Sequence, residues 1–207
     1  MEKNILLSTA YLPPVGFFQS IGGSLSFLLD DTENYQKQTY RNRTVIYSPN
    51  GPQTLIIPIL RPYNISIKDV KIEYHTPWQR NHWRSLTTAY NNSPFFEFYQ
   101  DLFYPFYSKK IDFLFDYNME LIHLILKLLK LPNSIQKYSE FKVSPPITSY
   151  NKLILSPKLK SNIFNPPYYQ VFYEKFGFIP NMSIVDLLFN IGPESSEYII
   201  LNSGNNE

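Results

Sequence analysis

Residues 5–31, ILLSTAYLPPVGFFQSIGGSLSFLLDD, contain the pattern that decides the fold. A short apolar run at residues 5–8 ends before the Pro13-Pro14 pair, and a second run at residues 24–29 ends at Asp30-Asp31. Between the two runs, apolar side chains recur near helical spacing, and Pro14 suits the first turn of a helix. Strand, helix and strand in this order predict a parallel βαβ unit.

The turn after the first strand is predicted to form one wall of a ligand site. In parallel α/β sheets, ligands bind in the crevice beyond the carboxyl ends of the strands. Tyr11, in the Tyr11-Leu12-Pro13-Pro14 turn, follows one such end, and the carboxylates Asp30 and Asp31 follow the other. We therefore expect these three side chains at one edge of the sheet.

The rest of the chain predicts a hairpin and a central group of helices. Residues 40–60 place two strand-like runs around Ser48-Pro49-Asn50-Gly51-Pro52, which is a strong turn signal. A further strand is expected at residues 70–74. Helices are expected at residues 78–91, 111–131 and 183–189, with another that Ser93 caps.

The fold class expected is α/β, as a single domain over residues 1–202 with a frayed tail at residues 203–207. Its mixed sheet would include the βαβ unit and the hairpin. Residues 133–167 are rich in Pro, Ser and Asn and predict an irregular region with one or two edge strands.

Composition excludes several classes of protein. The chain has 207 residues, of which 43% are hydrophobic, and its net charge of +2 lacks the basic excess of a nucleic-acid binder. The absence of cysteine excludes disulfide scaffolds, zinc–thiolate sites and cysteine nucleophiles. No apolar run has the length of a signal peptide core or a membrane span, so we expect a cytoplasmic protein with no transmembrane segment.

A polar cluster at residues 35–44 contains two arginines one residue apart. On a strand, Arg41 and Arg43 would point to the same face and together hold a phosphate or carboxylate. Tyr40 and Asn42 belong to the same predicted substrate-binding group, although Asn42 would face the other side of the strand. The alternative is a solvated or salt-bridged strand edge.

Trp78 and His82 are four residues apart on a predicted helix and therefore share a face. A histidine beside an aromatic ring suits a general base, with Trp78 packing on the ligand. The alternative is a core histidine that donates a hydrogen bond to a backbone carbonyl.

Asp30, Asp31 and Glu33 place three carboxylates within four residues, which suits acid–base catalysis or binding of a hydroxyl or amine. The alternative is that they pair with Arg41, Arg43 or Lys37. The histidines show no metal-ligand spacing, and G-x-S-x-G, P-loop and G-x-G-x-x-G motifs are missing, so the sequence identifies no cofactor. A metal site built from carboxylates alone stays open.

The order of these segments resembles the WbqC-like family of bacterial proteins along almost the full chain. Residues 11–18, YLPPVGFF, resemble the family opening Y-L-P-W-x-G-Y-F, with Pro14 where the family has Trp. The other matching segments are Leu29-Asp30-Asp31 with Arg41-Asn42-Arg43, residues 50–58, Trp78 with His82-Trp83, Tyr90 with Pro94-Phe95-Phe96, residues 169–172 and residues 180–193. The family's Gly-rich middle stretch is short or absent between about residues 141 and 165. The branch most similar is that of Bacteroidetes-type bacteria.

The resemblance implies an enzyme of surface-polysaccharide (O-antigen-type) biosynthesis, with transferase as its class. The group transferred would be glycine, another aminoacyl group or an acyl group, and the acceptor an amino sugar of a nucleotide-sugar or glycolipid. Arg41 and Arg43 would hold phosphate or carboxylate. His82 would act as general base, and Asp30 or Asp31 would orient a hydroxyl or amine. Tyr11 and Trp78 would pack on the ligand.

Two other functions stay open. Nucleotidyltransferases of the adenylating type also begin with a strand, a Pro-containing turn and a helix, although their H-x-G-H histidines are missing here. The 17 Tyr and 16 Phe would equally suit a non-catalytic binding or scaffold protein of the same pathway.

Overall fold

The computed structural model describes residues 4–22, 24, 27–60, 64–131, 135–140, 147–150 and 165–203. The strands are β1 (Asn4–Ser8), β2 (Phe27–Asp30), β3 (Arg43–Ser48), β4 (Gly51–Ile56), β5 (Ile135–Lys137) and β6 (Ile147–Tyr150). The helices are α1 (Val15–Ile21), α2 (Trp78–Tyr90), α3 (Phe96–Ser108), α4 (Leu114–Leu128), α5 (Tyr173–Phe176), α6 (Ile184–Ile191) and α7 (Ser195–Leu201). Short 3₁₀ helices lie at Ile67–Asp69, Tyr138–Glu140 and Gly192–Glu194.

The central sheet has the strand order β5-β2-β1-β6, and each neighbouring pair is parallel. The β1–α1–β2 segment therefore forms the predicted parallel βαβ unit. Every residue of β2 is buried, as is expected where helices and loops cover both faces of a parallel sheet. Ser8 pairs with Asp30 at the carboxyl ends of β1 and β2, so both strands finish at the same edge.

Both edge strands of this sheet come from the region that the sequence predicts to be irregular. β5 pairs with β2, and β6 pairs with β1. The prediction of one or two edge strands within residues 133–167 is confirmed. Residues 141–146 and 151–164 lie outside the described residues, as do residues 204–207 of the predicted tail. The short or missing Gly-rich stretch predicted between about residues 141 and 165 falls largely on them.

The predicted hairpin is confirmed as β3 and β4, which form a separate two-stranded antiparallel sheet. Gly51 has φ of +90°, a conformation that costs glycine little and other residues much. The hydroxyl of Ser48 donates to the Gly51 carbonyl at 2.7 Å and accepts from the Asn50 amide at 3.2 Å, which fixes the turn. The α/β class, with a parallel unit, a hairpin and several helices, is thus as predicted.

Two local predictions are wrong. Residues 70–74 form no strand, because among the described residues Lys71 bridges only to Phe113 and Ile72 only to Ile59, each through a single pair. Ser93 does not cap α3. Its hydroxyl donates to the Tyr90 carbonyl at 2.6 Å, so it closes the end of α2 instead.

The core is richest in aromatic side chains around α6, in which residues 184–190 are all buried. The ring of Phe189 packs edge-on against Tyr90, Phe96 and Phe103, which joins α6 to α2 and α3. Within the described part of the chain, no helix has both the length and the apolarity that crossing a bilayer would require.

Candidate functional site

A buried polar cluster lies at the carboxyl edge of the parallel sheet. The side chain of Arg41 is fully buried, and its Nε donates to Glu33 Oε1 at 2.8 Å. Its Nη2 donates to Glu33 Oε2 and, at 3.0 Å, to the hydroxyl of Ser8, while Nη1 donates to Thr39 Oγ1 at 3.1 Å. The Ser8 hydroxyl in turn donates to Glu33 Oε2 at 2.9 Å. The end of β1 is therefore fastened to the loop that follows β2.

This geometry corrects the predicted relation between the two arginines. Arg41 lies in the turn before β3, which begins at Arg43, so the two side chains do not share one face of a strand. Arg41 takes the alternative role of an ion-paired residue, with Glu33 as its partner. Among the described residues Arg43 forms no ion pair, and its side chain is half-buried.

Asp30 and Asp31 organise the loops at the same edge. Asp30 Oδ1 accepts hydrogen bonds from the Thr32 amide at 2.9 Å, the Thr32 hydroxyl at 2.7 Å and the Glu33 amide at 3.1 Å. These bonds close the turn that presents Glu33 to Arg41. Both oxygens of Asp31 accept from Ser139, through its amide and its hydroxyl, and so hold the segment after β5. Among the described residues, no group donates to Asp30 Oδ2.

Tyr11 and His82 come together in the core, 71 residues apart in sequence. The Tyr11 hydroxyl lies 3.0 Å from His82 Nδ1 and 3.0 Å from the Tyr107 hydroxyl. A main-chain hydrogen bond with Ile56 raises the pKa of His82, which assigns the other ring nitrogen as the donor to the Ile56 carbonyl and Nδ1 as the acceptor. With this tautomer, the order of donation is Tyr107 to Tyr11 to His82 to Ile56.

Burial lowers the pKa of His82 to about 4, because the charged imidazolium loses solvation, and the bond to Ile56 opposes this effect only in part. The imidazole is therefore neutral near pH 7, as a general base must be. Both of its nitrogens are nevertheless engaged inside the protein. His82 as general base stays a prediction, and that role would require the Tyr11 hydroxyl to leave Nδ1.

Trp78 shares a helix face with His82, as predicted, and the two rings meet edge-on at 5.1 Å. Trp78 also packs edge-on against Tyr117 at 5.8 Å, and it is only 4% exposed. Tyr11 is fully buried and lies 6.1 Å from Tyr117. Tyr11, Trp78 and His82 thus form an aromatic cluster inside the core, and their contact with a ligand remains a prediction.

Residues 40–42 connect this aromatic cluster with the Arg41–Glu33 pair. The Tyr40 carbonyl accepts from the Tyr11 amide at 2.8 Å, and burial raises the pKa of the Tyr40 phenol to about 12. The side-chain amide nitrogen of Asn42 donates to the Ile57 carbonyl at 2.8 Å, and the main-chain carbonyl of Asn42 accepts from the Ile57 amide at 2.8 Å. Tyr40 and Asn42 therefore hold the turn to β1 and β4, and substrate binding by them also remains a prediction.

Several buried polar atoms around this turn have no hydrogen-bond partner among the described residues. They include Arg43 Nε, Asn42 Oδ1, Asn118 Oδ1 and Thr9 Oγ1. Asn118 belongs to the same place, because its Nδ2 donates to the Arg41 carbonyl at 2.7 Å. Since buried polar groups are nearly always hydrogen-bonded, these atoms mark positions where a ligand or water would bind.

No three His, Asp or Glu side chains of the described residues converge to hold a metal ion. Asp30, Asp31 and Glu33 are adjacent in sequence, but their oxygens are directed to Thr32, Ser139 and Arg41. The described carboxylates thus show hydrogen bonding and ion pairing instead of a shared cation site.

Sequence reasoning missed Ser8, Thr39 and Tyr107. Ser8 is the last residue of β1 and so lies at the carboxyl edge of the sheet. The strand pattern that placed Tyr11 and Asp30 at this edge could have placed Ser8 there too. Thr39 and Tyr107 carry no local signal, since their roles depend on contacts that only the fold creates.

A second buried cluster was also missed, at Asp186 on α6. Its Oδ2 accepts from the Tyr168 hydroxyl at 2.7 Å and from Gln170 Nε2 at 2.8 Å. The carboxyl is 1% exposed, and burial raises its pKa to about 6. Its hydrogen bonds tie α6 to the segment before α5.

The fold and the polar edge define an α/β protein whose candidate site lies at the carboxyl ends of parallel strands. The chain belongs to the WbqC-like protein family, whose model matches residues 9–156. This confirms the resemblance at the level of the family, and the Bacteroidetes-type branch stays a prediction. An uncharacterised protein of Mycobacterium tuberculosis, Rv1507c, is 26% identical over 227 residues, covering 96% of this chain and 98% of that protein. No solved structure matches this chain.

Proposed function

We propose that this chain is an enzyme of bacterial surface-polysaccharide biosynthesis that transfers an acyl or aminoacyl group to an amino sugar. The resemblance to the WbqC-like family supports the pathway and the class of reaction. The contacts of the described residues support the location of the site, which is the carboxyl edge of β1 and β2 around residues 41–43. The main observation behind the proposal is that the buried Nε of Arg43 has no hydrogen-bond acceptor among the described residues.

Among the residues that the structure describes, Arg43 has no counter-ion at this edge. Its Nε is buried and has no acceptor among the described residues. Glu33 already pairs with Arg41, so its carboxylate is not the counter-ion of Arg43. The fields of both guanidinium groups reach Tyr35, where they oppose the rise in pKa that burial causes. An anionic ligand would supply the missing acceptor, and a guanidinium suits phosphate and carboxylate oxygens.

Arg41 has a positioning role in this proposal. Four of its five N–H bonds are directed to Glu33, Ser8 and Thr39, so little donor capacity remains for a ligand. It would instead hold the β1 end and the residue 39–43 turn in place, and its charge would add to the attraction that Arg43 exerts on an anion.

Asp30 is the group that we assign to a sugar hydroxyl or amine. The hydrogen bonds it accepts from the described residues all go to Oδ1, and they fix the orientation of the carboxylate. Oδ2 keeps its acceptor capacity. At 9% exposure the side chain is nearly buried, so a ligand donor there would replace little water.

The test is a thermal-shift screen of the whole chain against nucleotide-sugars, acyl-coenzyme A thioesters and amino acids. A ligand that binds only the folded protein raises the melting temperature. At a ligand concentration of about 100 times Kd, it adds about 2.7 kcal/mol to the free energy of unfolding. We expect an anionic member of this set to give a shift that Arg43→Ala abolishes and Arg43→Lys weakens. Arg80→Ala is the matched control, because Arg80 is exposed on α2 and lies outside the cluster.

Two outcomes would contradict the proposal. One is a screen in which no ligand stabilises the native protein. The other is an Arg43→Ala variant that unfolds many degrees below the native protein without any ligand, which would show a structural role for Arg43. A ligand shift that survives in Arg43→Ala would place the binding elsewhere.

Nucleotide binding is a second candidate, favoured by the parallel register of Ser8 with Asp30 at the edge where α/β proteins bind nucleotides. Isothermal titration with ATP and CTP tests it directly. Heat with either nucleotide that is lost in Arg43→Ala would support this function, and no heat with both would remove it.

A further inference from the structure

A recess of about 450 Å³ lies at the other end of β3, between the hairpin turn and α2. It is lined by Ser48, Pro49, Asn50, Gln53, Asn81, Arg84, Ser85 and Thr88. β3 runs from Arg43 to Ser48, so the recess and the carboxyl-edge cluster are separated by a strand length of about 17 Å and share no lining residue. We call it the hairpin recess.

The helix side of the hairpin recess is polar where a packed helix would be apolar. Asn81, Arg84, Ser85 and Thr88 occupy positions i, i+3, i+4 and i+7 of α2, which form one continuous stripe. The adjacent stripe of the same helix, with Trp78, His82, Leu86 and Ala89, is buried in the core. α2 therefore meets its core contacts with one stripe and presents amide, hydroxyl and guanidinium groups to the recess with the other.

The charged side chains of the described residues at the recess are both positive. Arg84 is exposed and makes no ion pair with any described residue, and none of the lining residues is Asp or Glu. Lys175 adds a second cation at the rim, where its Nζ donates to the Pro49 carbonyl at 2.8 Å. An anionic group would meet two cations and no repelling carboxylate from the described lining.

The remaining lining groups suit hydroxyls. Gln53 Nε2 donates to the Ser85 hydroxyl at 3.1 Å, which orients both side chains across the floor between β4 and α2. Asn50, Asn81 and Thr88 are exposed at the sides and offer both donors and acceptors. No aromatic ring of the described residues lines the recess, so these residues offer a nucleobase no stacking surface.

We propose that the hairpin recess binds a phosphorylated sugar, with Arg84 on the phosphate and the amide and hydroxyl groups of Gln53, Asn81, Ser85 and Thr88 on the sugar. A volume of about 450 Å³ accommodates one or two sugar units, since small-molecule pockets begin near about 300 Å³. The inference does not depend on the activity proposed above, because it uses none of the residues at the carboxyl edge.

Isothermal titration of the whole chain with glucose 1-phosphate, inorganic phosphate and glucose tests the inference. We expect glucose 1-phosphate to bind more tightly than either of the other two probes. Arg84→Ala should weaken its binding by about tenfold or more, because a charge-assisted hydrogen bond is lost. Ser85→Ala should weaken it less. Arg80→Ala, which removes an exposed arginine one turn away on α2, should leave it unchanged.

Three results would overturn the inference. If glucose 1-phosphate does not bind, or binds no better than inorganic phosphate, the recess does not recognise a phosphorylated sugar. If Arg84→Ala and the native protein bind glucose 1-phosphate equally well, the hairpin recess is not the binding site. Binding lost in Arg43→Ala and kept in Arg84→Ala would move the anion to the carboxyl edge, which would support the function proposed above while overturning this inference. Since Arg84 is exposed, its substitution leaves the core intact.

Discussion

Arg41 and Glu33 form a two-point ion pair inside the protein, in which Nε and Nη2 of one side chain face Oε1 and Oε2 of the other. The arginine side chain is 0% exposed and the glutamate side chain 9%. A charge so deeply buried depends on its partner, because water can no longer solvate it.

Glu33→Gln should therefore destabilise the protein by about 3–5 kcal/mol, the typical cost of leaving a buried charge without its counter-ion. Urea denaturation followed by circular dichroism measures this loss. Glu120→Gln, on the exposed face of α4, is the control and should change stability by less than about 0.5 kcal/mol. A loss below about 1 kcal/mol in Glu33→Gln would mean that Arg41 is not held by this pair.

Tyr11→Phe should cost about 1–3 kcal/mol, because it keeps the ring but leaves His82 Nδ1 without its buried donor. The same change at Tyr104, whose side chain is 50% exposed, should have little effect. A double-mutant cycle with Tyr107→Phe measures the coupling within the hydrogen-bonded chain. Additive losses in that cycle would show that the Tyr11 and Tyr107 hydroxyls act separately.

Asp186 should make the protein less stable as the pH rises from about 4 to 6. Its pKa in the folded protein is about 6 against an ordinary value of 3.8, since burial disfavours the charged form. The stabilisation from protonated Asp186 is complete below the lower value and is lost as the pH passes the upper one, a change of about 3 kcal/mol.

Asp186→Asn removes this titration. The free energy of unfolding of the native protein minus that of the variant should fall between about pH 4 and 6 and stay level above it. Asp116→Asn, an exposed change on α4, is the control and should show no such slope. A level difference for Asp186→Asn across the whole range would contradict the raised pKa.

His82 should have the opposite effect in nearly the same range. Its folded pKa is lowered to about 4 from 6.5, so the stabilisation from neutral His82 is complete above 6.5 and is lost as the pH falls to about 4. The free energy of unfolding of the native protein minus that of His82→Gln should therefore fall by about 3 kcal/mol on acidification through this range. A direct check is NMR titration of the His82 ring, and a midpoint near 6.5 would show that the ring is solvated.

Local patterns were sufficient for those parts of the fold that depend on neighbours in sequence. Apolar runs on either side of Pro13-Pro14 predicted β1, α1 and β2, and the Asn50-Gly51 turn predicted β3 and β4. One failure came where a polar side chain had two possible hydrogen-bond partners. Ser93 was expected to cap α3, yet its hydroxyl donates to the Tyr90 carbonyl at 2.6 Å and closes α2 instead.

The site shows the same limit. Spacing placed three carboxylates near Arg41 but could not tell which one would pair with it, because that depends on how the Asp30 turn directs Glu33. For His82, the sequence offered a general base or a core histidine. The contacts of His82 with the Ile56 main chain and with Tyr11, 71 residues away, are those of a core histidine, while its role as a general base stays a prediction.

The position of β1 in the sheet has a consequence for how the protein is made. β1 precedes β6, one of its two neighbours in the sheet, by more than a hundred residues along the chain, since β6 begins at Ile147. At ordinary translation speeds of about 5–20 residues per second, β1 waits on the order of ten seconds before that neighbour exists. Its apolar edge is exposed to wrong partners for that time, so slowing or arresting synthesis before β6 should increase aggregation of the nascent chain.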